Sequence, residues 1–224
     1  MSSTLPPQSS QVIKLLASLE SDRRAMLNLG IEMTGGMDAP MFPLDFMTFG
    51  AVKRNLSLTA AMRSMVESWN MICSRSLLRL HIDTSLRYSA AWMVEKPHDF
   101  ATQVLGGERI DRMKDREGKR LTDAHLVAVR SADYPWLPDV YERLSGYVHF
   151  SGSHIFDSIA SLNKESRTVH FEITDSDLKF PEASWVEVLD CFRDATGMLA
   201  KYLHGYRVTK KMSPTELEAA RGGA

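Results

Sequence analysis

The segment from about Trp69 to Val94, bounded by Pro97, constrains the fold most. It is apolar on most sides, through Met71, Ile72, Leu77, Leu78, Leu80, Ile82, Leu86, Trp92 and Met93. A helix that is apolar nearly all round belongs at the centre of a bundle. Yet Arg75, Arg79, Asp83 and Arg87 follow at four-residue steps and share one stripe of this helix. Two readings of the stripe are open. Exposed, it is a charge ladder worth a few tenths of a kcal/mol per pair. Half-buried, it is a polar seam in which Asp83 must be satisfied by Arg79 or Arg87, because an unpaired buried charge costs several kcal/mol. His81 lies off the stripe and reads as a packed core histidine.

The remaining elements surround this helix. Val12, Leu15, Leu16, Leu19, Met26 and Leu27 recur at helical spacing after Ser9 and Ser10, either of which can cap the helix. That helix ends near Gly30, and Thr34 to Pro43 reads as a loop. Phe46, Phe49, Val52, Leu56, Ala60 and Met65 face one side of a long helix from Leu44 to Glu67. Shorter helices are expected over Asp99–Leu105, Glu108–Arg116 and Asp123–Val129, the last capped by Thr122. The basic residues Arg109, Arg112, Lys114, Arg116, Lys119 and Arg120 alternate with acids and read as a solvated face. Pro138 launches another helix. Val169, Phe171 and Ile173 alternate with His170 and Glu172, which predicts a small hairpin leaning on the helices. A last long helix runs from about Pro181 to Tyr206, and Ser213 to Glu216 has a capping-box pattern. The fold class is therefore all-α: a helical bundle with a small β-hairpin before the C-terminal long helix. The organisation is a disordered lead over 1–9, one helical domain over 10–206, and a tail with a short helix over 207–224.

Composition excludes several functions. The formal net charge of the 224-residue chain is −1, so no global basic field draws in nucleic acid. Cys73 and Cys191 have no CxxC neighbour and read as buried thiols of a reducing compartment. No leader pattern and no apolar run of about 20 residues is present, so a cytoplasmic protein without membrane partners is expected. Phosphate loops, HExxH, GxSxG and the Glu-x-x-His pair of di-metal bundles are absent, and neither metal nor cofactor is expected.

What remains is a helix-borne set: Tyr141, Arg143, Ser145 and His149, with Tyr147 and His154 nearby. Histidine transfers protons near neutral pH, and arginine stabilises a phosphoryl group. Together they suit metal-free RNA cleavage, with His149 as acid/base and Arg143 as phosphate binder. The alternative is a surface Arg143 and a helix-end His149 favoured by the helix dipole.

The pattern Tyr141-x-x-Leu144-Ser145-x-x-Val148-His149-x-Ser151 resembles the HEPN superfamily. It is most similar to a bacterial HEPN-related branch with a Leu-Ser-x-x-Val-His-x-Ser segment. Ser76-Leu77-Leu78-Arg79-x-x-x-Asp83 resembles that branch too, and the likeness spans about 45–205. It implies an all-helical bundle, commonly a homodimer, with an endoribonuclease site of Arg-x(4–6)-His type facing across the two protomers. Arg143 and His149 match that spacing, although Leu144 stands where catalytic members carry a polar residue. On a regular helix residues six apart point about 120° apart. Their meeting at one phosphate needs a distorted helix end near Gly146 or a partner subunit. The functions implied are RNA cleavage of the toxin or defence type, with an antitoxin or other protein partner, or a non-catalytic dimer that binds protein or nucleotide. In the second case Arg79, Asp83, Tyr141, Ser145, His149 and His154 are a supporting polar network.

Overall fold

The structure is a computed structural model that describes residues 5–36, 39–213 and 215–216. Among these it is all-α, with eight α-helices and one two-stranded ribbon. The helices are α1 (Ser10–Thr34), α2 (Pro43–Glu67), α3 (Met71–Ser89), α4 (Pro97–Leu105), α5 (Asp123–Arg130), α6 (Leu137–Val148), α7 (Gly152–Asp157) and α8 (Glu182–Lys210). Strands β1 (Ile159–Asn163) and β2 (Thr168–Phe171) precede α8.

As expected of an apolar helix, α3 is central. It packs most extensively on α8 and α2, and α6 lies along a further side. Met71, Leu78, Ile82 and Leu86 are buried against Trp185, Leu189, Phe192 and Leu199 of α8. Small polar residues let the two backbones approach: the Ser85 hydroxyl donates to the Ala195 carbonyl at 2.9 Å. His81 is fully buried and stacked on Phe192, with ring centroids 4.3 Å apart. Its Nε2 lies 2.8 Å from Thr196 Oγ1. Burial, assisted by the Arg54 charge, lowers its pKa to about 3, so it is a neutral core residue at physiological pH.

Local chemistry sets the helix ends. The Ser9 side chain accepts from Val12 N, and Gly35 closes α1 in the left-handed conformation at φ 72°. Pro43 opens α2, Asn70 caps α3 and Thr122 caps α5. At the opposite end of the bundle, Lys210 reaches back from α8 to Asp45 at 2.9 Å and to the Met33 carbonyl at 3.0 Å. This ion pair has side-chain exposures of 10% and 0% and joins α8, α2 and α1. So α8 runs four residues past the expected Tyr206 because its last residue satisfies a buried carboxylate.

Several local expectations change. The helix expected over Glu108–Arg116 is only a 3-10 turn at Ile110–Arg112, because Gly107 and Gly118 adopt positive φ and Asp115 accepts from the Glu117 and Lys119 amides. The basic cluster there pairs locally, Arg109 with Asp111 and Lys119 with Glu117, as a solvated face does. Cys73 is exposed rather than buried, and Cys191 is half-buried. The hairpin leans on the helices only at its base. Leu162, Val169, Phe171 and Ile173 are exposed. Pro6 and Gln8, in the lead, accept from Trp69 and donate to Val66 respectively. Ser213 and Glu216 bond as a capping box does, and the rest of the tail lies outside the described residues.

Candidate functional site

Tyr141 to Ser151 does not continue as one helix. α6 stops at Val148, and His149 follows in extended backbone at φ −116° and ψ 145°. The chain then turns sharply into α7. Much of the conspicuous motif builds this corner. Leu144 is core. The Ser151 hydroxyl donates to the Gly146 carbonyl at 2.8 Å, and the Ser76 hydroxyl donates to the Tyr147 carbonyl at 2.8 Å. Both satisfy carbonyls that a helix end leaves without partners. Gly146 is required by close approach: a Cβ there would sit 2.9 Å from Ser153 Oγ and 3.0 Å from Ser151 Oγ. His154 Nδ1 accepts from the Ser151 amide at 3.3 Å, and its ring stacks on Phe150. Ser145 bonds back to the Tyr141 carbonyl and not to His149.

The α3 stripe is a half-buried seam, and α6 lies over it. Two Arg–Tyr–Asp units form where they meet. In the first, Arg79 lies over the Tyr141 ring, 3.6 Å from the centroid, and donates to its hydroxyl. That hydroxyl donates to Asp123 Oδ2 at 2.8 Å. Arg87 closes the network, donating to Asp123 at 2.5 Å and to Asp83 at 2.9 Å. Arg79 is 13% exposed and also lies 4.0 Å from Asp83. Burial first, then the bond to Asp123, raises the Tyr141 pKa well above the usual phenol value.

In the second unit, Arg75 lies over the rings of Tyr147 and Phe180, 4.9 and 4.8 Å from their centroids. Its Nη1 donates to the Tyr147 hydroxyl, which donates to Asp157 Oδ2 at 3.0 Å. Arg75 Nε and Nη2 have no acceptor among the described residues.

This second unit borders a cleft of about 360 Å³ between α3, α6 and α8. Leu78, Val140, Leu144 and Val188 supply its aliphatic surface. Arg75, Arg143, Tyr147, Ser153, Glu187 and Cys191 supply its polar surface. Arg143 is largely exposed and lies 3.2 Å from Glu187. Burial pushes the Cys191 thiol up to about 11, so it is neutral at physiological pH.

The residues expected to be catalytic do not share one cleft. Arg143 lines the cleft, whereas His149 is exposed and does not. The His149 side chain makes no hydrogen bond or ion pair among the described residues. Arg79, Asp83 and Tyr141 form one network, and Ser145, His149 and His154 lie outside it. Asp123, Asp157 and Glu187 escaped the sequence reading. Their partners are distant in the chain, and only Asp123 carried a local signal, as the acid after a capping threonine.

Among the described residues no three His, Cys, Asp or Glu side chains converge as a metal-binding group. No helix among them is long and apolar enough to cross a membrane. No family model matches this sequence, and neither a curated protein nor a solved structure matches it.

Proposed function

We propose that the protein is a cytosolic, HEPN-like helical binding module with the α3–α6–α8 cleft as its ligand site. Arg143 and His149 then do not form a ribonuclease centre within one chain. The observation that carries this reading is that Arg143 lines the cleft while His149 stands beyond the end of α6. A general acid/base must lie within about 3 Å of the proton it moves, or one water away. The cleft has the attributes of a small-molecule site: an apolar floor, a few convergent polar groups and a volume within the usual range. The Arg143–Glu187 pair at its mouth is an exposed ion pair, so an incoming anion displaces Glu187 at little cost.

The exposure of both Arg143 and His149 favours a second reading, an RNA-cleaving homodimer in which each protomer completes the other's site. The test is cleavage of a labelled structured RNA in EDTA by four samples: the parent, Arg143→Ala, His149→Ala, and the two variants mixed. The binding-module reading expects no cleavage by any sample. Cleavage by the parent and the mixture but by neither variant alone would establish the shared-site ribonuclease instead.

A further inference from the structure

The chemistry of the cleft narrows what it binds; this step rests on the cleft being the ligand site. Its floor is purely aliphatic, formed by Leu78, Val140, Leu144 and Val188. No carboxamide lines it to read the edge of a base, and the Tyr147 ring is already engaged by the Arg75 guanidinium. The floor therefore suits a hydrocarbon body.

The polar side selects the head group. The lining bears two arginines, Arg75 and Arg143, and each has an acid nearby: Asp157 lies 3.9 Å from Arg75, and Glu187 lies 3.2 Å from Arg143. A singly charged head group adds the least negative charge to this balanced set, whereas a dianionic phosphate adds twice as much beside Glu187. The Arg75 guanidinium lies over the Tyr147 and Phe180 rings and is tied to the Tyr147 hydroxyl, and its Nε and Nη2 are without protein acceptors among the described residues. A fixed planar guanidinium with adjacent free donors matches a carboxylate in bidentate fashion. Arg143, released from Glu187, supplies a further donor.

We propose that the cleft binds an amphipathic monocarboxylate, its hydrocarbon body on the aliphatic floor and its carboxylate held by Arg75 and Arg143. The probes are octanoate, octan-1-ol (the body without the charge), acetate (the head without the body) and adenosine monophosphate. Each is titrated into the full chain while the methyl resonances of Leu78, Val140, Leu144 and Val188 are followed. Octanoate is expected to shift these methyls saturably, with octanol and acetate binding at least tenfold more weakly. Arg143→Ala should weaken octanoate about tenfold or more, from the loss of a charge-assisted hydrogen bond, while leaving the unperturbed methyl spectrum folded. Octanol binding as well as octanoate, or no change in Arg143→Ala, overturns the proposal. Saturable shifts with the nucleotide and none with octanoate overturn the carboxylate but leave the cleft as a ligand site. Methyls that respond to none of the four probes overturn both.

Discussion

The seam between α3 and α6 contains the same three residue types twice, and the two units differ in what surrounds them. Arg79, Tyr141 and Asp123 are tied into a second ion pair by Arg87 and Asp83, so four charges cancel and the phenol is wedged between cation and carboxylate. Arg75, Tyr147 and Asp157 have no such second pair, and Arg75 borders an open cleft with donors to spare. The first unit, closed except for Arg79 Nε, which is buried without an acceptor among the described residues, is a strut. Left open on one side, the motif becomes a receptor edge. The difference comes from the elements that deliver the acids: Asp123 starts α5, which packs on both α3 and α6, whereas Asp157 ends the one-and-a-half-turn α7.

The contrast should break most visibly on deleting the acids. Asp83→Ala/Asp123→Ala leaves Arg79 and Arg87 half-buried without a carboxylate partner and should cost about 3–5 kcal/mol, read as a lower urea midpoint. Asp83→Ala alone should cost only about 1–2 kcal/mol, since Asp123 still holds Arg87. Asp157→Ala should fall in that lower range too, because Arg75 and Tyr147 keep each other and face the cleft. An equal loss in the double variant and in Asp157→Ala would erase the distinction.

The frame side of α3 also has its own titration. His81 is held neutral when folded, with its pKa lowered to about 3, and takes up a proton near pH 6.5 when unfolded. The unfolded chain therefore binds the extra proton between those values, and stability falls as pH drops through this window. From pH 6.5 to pH 4 the loss from this group is roughly 3 kcal/mol. Urea unfolding at pH 7 and pH 4 should show it in the parent, and His81→Gln should flatten the difference.

At the corner beside the cleft, Gly146→Ala drives a methyl against Ser151 and Ser153. A cost of about 1–2 kcal/mol is expected, as for other overpacked sites. Thermal unfolding gives the value, and a neutral result would mean that the serines yield freely. The smallest effects should come from single hydroxyls. Tyr141→Phe should cost about 1 kcal/mol, and Tyr147→Phe about half that, within the net range of one hydrogen bond.

The apolar patterns made the bundle legible in the sequence. The buried faces of α3 and α8 follow the 3.6-residue period, and the stripe from Arg75 to Arg87 stood out because charge interrupts it. The face expected on α2 was misplaced: of its residues only Val52 is buried, Phe46 and Ala60 are exposed, and the buried side runs through Leu44, Thr48, Ala51, Asn55, Leu58, Thr59, Met62 and Val66, where small polar residues break the apolar pattern. The hidden part lies in contacts between distant segments. Nothing near Asp123 or Asp157 announces Arg87 or Arg75, and nothing near Asp45 announces Lys210. Gly146 and Ser151 look like parts of an active-site signature, yet they turn a corner, because cap and close-approach residues draw on the same small polar types as catalysis. His149 looked helix-borne because helical spacing carries no mark of where the helix stops.

The most direct measurement follows the Nε–H resonances of Arg75 and Arg79 as octanoate is added to the folded chain. Arg75, with its spare donors at the cleft, should shift saturably, while Arg79, enclosed by Tyr141, Asp83 and Asp123, should stay put. An unmoved Arg75, or an Arg79 that moves with it, would contradict the division of the seam into one strut and one receptor edge.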